Sequence, residues 1–142
     1  MKTQFKKGNK LYKKTSSLIP GGVQLLSKRP EIFLPDQWPC YFKSAKGSKI
    51  VTYDDVELYD FTNCSVGMCP LGYANSVINN SVIEVIKKGN TTTLNSYLEY
   101  DCAKLLIDTH PWADMARFTK SGGEAMSVAV RIARAYKKKD KV

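Results

Sequence analysis

Histidine is almost missing from this chain: His110 is the only one among 142 residues, which leaves no multi-histidine metal site within it. His110 is followed directly by Pro111 and reads as a helix-end residue rather than a catalyst. No apolar run approaches the roughly 18 to 20 residues that a membrane-spanning helix requires. The basic opening MKTQFKKGNKLYKK leads into no apolar stretch, so a secretory signal is not expected and a cytoplasmic protein with no membrane partner is. Cysteine is sparse, and none of Cys40, Cys64, Cys69 and Cys102 is spaced as a CxxC zinc knuckle or redox pair. Free, mostly buried thiols in a reducing compartment are the expectation.

Acidic residues are absent from the first 14 positions, which hold six lysines, and only Asp140 offsets the six Lys and Arg of residues 131–142. The formal charge of +9 therefore comes from the two ends, because the remaining 10 bases and 12 acids leave residues 15–130 at −2. A nucleic-acid groove needs basic side chains gathered on one face. Solvated basic ends explain this distribution better, and no nucleic-acid partner is expected.

What is present suits a soluble globular chain, 43% apolar and 25% charged, long enough for a compact domain. Residues 4–17 read as a lysine-rich helix that stops before Pro20-Gly21-Gly22. Pro30, Pro35 and Pro39 then keep KRPEIFLPDQWPCYF extended. Two β-rich runs, 49–53 and 57–61, flank Asp54-Asp55 and predict a hairpin. After the glycine-bearing loop CSVGMCPLGYAN, SVINNSVIEVIKKG has helical apolar spacing with Gly89 as its stop. A further helix is expected from about Tyr97 to Thr109, with Leu98, Cys102, Leu105 and Leu106 facing inward. MARFTK reads as a short strand running into SGGE and a long helix from about Glu124 to Lys138. Helix, strand, glycine turn and helix in that order predict an α/β fold.

The richest stretch is RFTKSGGEAMSVAVRIARAY, residues 117–136. A strand turning through glycines into a helix gathers free N–H groups and the positive end of the helix dipole, which suits an anion. Ser121 adds a hydroxyl, and Gly122 and Gly123 let a phosphate approach the backbone. The same residues equally spell a capping box, in which Ser121 and Glu124 satisfy the first helical N–H groups with no ligand at all. Spacing alone leaves both readings open. A P-loop would need Lys-Ser or Lys-Thr after the glycines, and a dinucleotide fingerprint three spaced glycines; both are absent.

LIPGGV (18–23), ELYDFT (57–62), GMCPLGYAN (67–75), HPW (110–112) and RFTKSGGEAMSVAVRIARAY follow one another in an order that resembles the opening of class III aminotransferases, particularly their glutamate-1-semialdehyde aminomutase branch. The resemblance runs from about Tyr12 onward. It implies a fold-type I transferase dependent on pyridoxal 5'-phosphate (PLP), whose phosphate Ser121, Gly122 and Gly123 should hold. Gly123 stands where the family has threonine, leaving backbone N–H groups in place of one hydroxyl. Ser65, Val66 and Gly67 fall where that branch has a Ser-Trp-Gly substrate-side loop, and Lys28 falls near an arginine used on the substrate carboxylate. Because Val66 is not tryptophan and Lys28 is not arginine, the resemblance fits better an aminotransferase acting on another amino donor, such as one of an amino-sugar or cell-surface polysaccharide pathway.

The resemblance also implies that residues 1–72 form an N-terminal helix, extended segment and hairpin of the small domain, and that 73–142 begin the PLP-binding large domain, its parallel sheet incomplete. None of the 18 lysines matches the family's Schiff-base position, which is expected beyond Val142, so the chain alone is expected to be inactive; because its sheet is left without a partner strand, it is also expected to be poorly soluble or only partly folded. A homodimer is implied for the full-length enzyme. The alternative is a non-catalytic phosphate- or PLP-binding module.

Overall fold

The computed structural model describes residues 4–62, 65 and 67–141, which fall into two compact units, Met1–Lys88 and Gly89–Val142.

The first unit opens with α1 (Lys6–Thr15). Its first turn carries no acid and Phe5, at the N-cap, gives no side-chain hydrogen bond. Asp54, far along the chain, caps the helix instead: Oδ1 accepts from Lys7 N–H at 2.6 Å and Oδ2 from Gly8 N–H at 2.8 Å. Gly21 and Gly22 follow with φ of 75° and 73°, and a Cβ on Gly22 would come within 2.7 Å of the Tyr12 ring. Only glycine fits there. The proline-spaced stretch forms two short 3-10 turns, Leu26–Lys28 and Pro30–Ile32, and no regular helix.

Three antiparallel strands follow in the order β1 (Phe42–Lys46), β2 (Lys49–Thr52) and β3 (Glu57–Tyr59). Ile50 pairs with Ala45 on one side and Leu58 on the other. The expected β2–β3 hairpin is there, but β1 is an addition. Its sequence FKSAK lacks the β-branched residues and alternation that mark a strand, and it is recruited by the edge of β2. At the end of β2, Thr52 is the most enclosed side chain at 2% exposure, its Oγ1 accepting from Val56 N–H at 3.1 Å. Among the described residues Phe5 is the buried hydrophobic side chain, and Pro30 is buried as well. α2 (Ser76–Lys88) is capped by Asn75, whose Oδ1 accepts from Val77 and Ile78 N–H at 3.1 and 3.3 Å, and ends at Gly89 with φ 91°.

The second unit holds α3 (Tyr97–Thr109) and α4 (Gly122–Lys137). Ser96 caps α3 through Leu98 N–H, and His110 ends it, as read from the sequence. Two expectations are corrected here. Residues 116–120 form no strand, because no described segment lies alongside to complete a ladder. Leu98, Leu105 and Leu106 are not enclosed but 37%, 63% and 39% exposed: an inward face needs a covering element, and the described residues supply none over α3.

The thiols are also less enclosed than expected, with Cys40 and Cys69 half-buried and Cys102 exposed; Cys64 lies outside the described residues. Cys40 donates to Asn9 Oδ1 at 2.9 Å, and burial, helped by Glu31, Asp54 and Asp36, pushes its pKa up to about 11. Scarcer thiolate is partly offset by the greater nucleophilicity of a more basic sulfur. Cys102 should therefore alkylate about tenfold faster than Cys40 with iodoacetamide at pH 8. Peptide mass mapping over time reads this directly, and equal rates would contradict the enclosure of Cys40.

Candidate functional site

Three residues singled out by the sequence meet in one turn. Ser121 is extended, with φ −140° and ψ 158°, and serves as N-cap of α4. Its Oγ accepts from Glu124 N–H at 3.3 Å, and Ala125 N–H donates to the Ser121 carbonyl at 3.0 Å. Glu124 folds back so that Oε2 accepts from Lys120 N–H at 2.8 Å, one residue earlier than a standard capping box. The capping reading is thus realised in a shifted form, and it leaves donors over. The Ser121 hydroxyl proton is not consumed by accepting a bond. Gly122 and Gly123 head the helix, where N–H groups have no intrahelical acceptor. Among the described residues no acceptor pairs with either.

The space beside these donors is open. Nothing lies within 4 Å of a Cβ built at Gly122 or Gly123, and neither has positive φ. The fold itself therefore does not require glycine at these positions, although glycine costs a helix about 0.5–1 kcal/mol relative to alanine. An anion pressed against the backbone would require it. With the dipole of α4 behind them, two amides and one hydroxyl suit a phosphate monoester.

The residues expected on the substrate side lie in the first unit. Lys28 ends its 3-10 turn with an exposed side chain. Ser65 is half-buried with φ 63°, and its carbonyl accepts from Met68 N–H at 3.3 Å; Gly67 has φ 78°. Val66 lies outside the described residues. No described ion pair or hydrogen bond ties the Lys28 side chain to this loop.

One network escaped the sequence. Asp60 Oδ1 accepts from both the N–H and the hydroxyl of Thr62, at 2.8 and 2.5 Å, while Oδ2 accepts from Tyr73 Oη at 2.5 Å. The Thr62 hydroxyl and then the Tyr73 hydroxyl hold the Asp60 carboxyl below its usual range. Asp-x-Thr spacing hinted at the local half of this network. A groove of about 640 Å³ in the second unit, lined by Leu98, Cys102 and Phe118 among others, is open to solvent and does not include the Ser121 turn.

Comparison with known proteins gives the family. The model of the family described as Aminotransferase class-III matches residues 35–142. A 3-aminobutyryl-CoA aminotransferase of Cloacimonas acidaminovorans is 33% identical over 142 residues, 99% of this chain and 34% of that protein. A glutamate-1-semialdehyde 2,1-aminomutase of Fusobacterium nucleatum is 37% identical over 138 residues, 97% of this chain and 31% of that protein. Among solved structures, a transaminase with PLP bound superposes with a TM-score of 0.81 at 27% identity, over 94% of this chain and 30% of that one. An omega-transaminase from Sphaerobacter thermophilus gives 0.77 at 29% identity, over 91% and 28%. The chain spans about a third of the length of the relatives it matches.

Proposed function

Because the chain belongs to the class-III aminotransferase family, we propose that it forms the phosphate-binding and substrate-side part of a PLP-dependent enzyme that moves an amino group between small molecules. The observation that carries this reading is the pair of unclaimed N–H groups at Gly122 and Gly123, facing space that a side chain would fill. When bound, the coenzyme supplies an electron sink for the carbon that loses its proton.

The chain's own contribution is binding and orientation. The Ser121 Oγ proton turns to a phosphate oxygen, while the Gly122 and Gly123 amides donate to others. Glu124 would repel a dianion, but its carboxylate is engaged by Lys120 N–H. On the substrate side, the Lys28 ammonium is suited to a carboxylate, and Ser65, Val66 and Gly67 are the other residues that the family resemblance assigns to that side. Val66 in place of tryptophan and Lys28 in place of arginine favour transamination of another amino donor over the aminomutase reaction. A cytoplasmic homodimer is the form proposed for the complete enzyme. A non-catalytic phosphate-binding module is the second reading, favoured by the capping network, which satisfies part of the turn without any ligand.

Pyridoxine 5'-phosphate tests the cradle cleanly, because it lacks the aldehyde that any of the 18 lysines could capture. The Ser121→Ala chain should bind it about tenfold more weakly than the parent, the usual value of one hydrogen bond to a charged group. Inorganic phosphate should compete. Equal affinity of parent and variant in equilibrium dialysis would remove Ser121 from the site.

A further inference from the structure

The segment between Asp60 and Tyr73 carries Ser65 and Gly67, and both of its ends are fastened to one place. Asp60 N–H donates to the Ser48 carbonyl at 2.7 Å. Tyr73 forms a two-bond bridge with Gly47, N–H to carbonyl at 2.8 Å and carbonyl from N–H at 2.9 Å. Both anchors, Gly47 and Ser48, belong to the β1–β2 turn. Gly72, with φ 87°, crosses Gly47 so closely that a Cβ would lie 3.0 Å from the Gly47 Cα. The two ends are then joined directly by the Tyr73 hydroxyl on the Asp60 carboxylate, whose other oxygen gathers the Thr62 N–H and hydroxyl.

We infer that the Asp60–Tyr73 hydrogen bond is a clasp that joins the two ends of the segment bearing Ser65 and Gly67, making Tyr73 a positioning residue for the amino substrate. This assignment rests on the substrate-side reading of Ser65–Gly67. The left-handed backbone at Ser65, φ 63°, is a conformation that a non-glycine residue keeps only when its surroundings enforce it. The bridge to Gly47 fastens the backbone at Tyr73, and the clasp adds a side-chain tie from Tyr73 to Asp60. Tyr73→Phe retains the aromatic ring and the Gly47 bridge and removes only the hydroxyl. Asp60→Asn retains an acceptor and removes the charge.

Amide hydrogen exchange on the full chain separates the possibilities. Peptides covering residues 61–72 should exchange about tenfold faster in Tyr73→Phe and by a smaller factor in Asp60→Asn, with α2 unchanged. If the ring's packing were what mattered, Tyr73→Phe would exchange like the parent, and that result overturns the clasp. Failure of the substrate-side reading has its own signature, read with β-alanine and L-glutamate as probes. If neither probe slows exchange of residues 61–72 in the parent while the two variants still differ from it, the clasp stands as a structural tie and Tyr73 loses its positioning role. Protection by either probe in the parent that is lost in Tyr73→Phe supports the inference in full.

Discussion

Replacing Gly123 with glutamate is expected to weaken binding of pyridoxine 5'-phosphate by at least about a hundredfold while leaving helix content unchanged or slightly raised. The two halves of this result pull apart the two readings of the turn. As a helix start alone, Gly123 is a poor choice: no neighbour lies within 4 Å of an added Cβ, its φ is not positive, and glutamate in a first turn complements the dipole. A pure capping turn would therefore gain stability from the substitution and show nothing else. As a cradle, the same turn would have its open space filled by a side chain and a carboxylate set beside the phosphate. Two like charges about 4 Å apart at an effective dielectric near 20 repel by roughly 4 kcal/mol per charge pair, close to a thousandfold, and exposure of the turn reduces that to the hundredfold figure. Gly122→Glu should behave alike. Equilibrium dialysis gives the affinity and far-ultraviolet circular dichroism the helix content; unchanged affinity in both variants would leave the turn as a cap.

The helices were legible because each carries its own punctuation. Pro20 follows α1, Gly89 stops α2, Ser96 and His110 bracket α3, and Ser121 opens α4. What could not be read depends on neighbours. The spacing of Leu98, Leu105 and Leu106 marks a face that would be buried against something, and it does not say whether that something is there. For the same reason MARFTK, with suitable residues for a strand, forms none, while FKSAK, with poor ones, becomes β1 against the waiting edge of β2. The Ser121 turn was legible only as an ambiguity, because capping and phosphate binding draw on the same serine and the same amides. Order and company of motifs, from LIPGGV to SGGE, pointed to the family that the comparisons then gave. The Asp60–Tyr73 pairing was invisible since nothing in either residue names its partner across the loop.

Asp54→Ala is expected to release α1 from the hairpin. Alone, this helix has little to hold it: ten residues are short for an isolated helix, five of them are lysines, and its first turn has neither an acid nor a side-chain cap. Asp54 supplies both missing features at once, its two oxygens each taking a first-turn N–H while its charge offsets the dipole. Gly8 leaves the room this requires, since a Cβ there would sit 2.9 Å from Asp54 Oδ2. Losing a two-bond cap costs about 2 kcal/mol, which corresponds to a roughly thirtyfold larger population of the released helix. Lys6, Lys7, Lys10, Lys13 and Lys14 turn that population into a signal, because trypsin cuts only where the backbone can unfold into its cleft. Cleavage within α1 should accelerate about thirtyfold in Asp54→Ala and less in Asp54→Asn, which keeps an acceptor for one amide but not the charge. A tryptic rate in Asp54→Ala equal to the parent's would mean that α1 is held by the enclosure of Phe5 instead, and Phe5→Ala would then show the acceleration in its place.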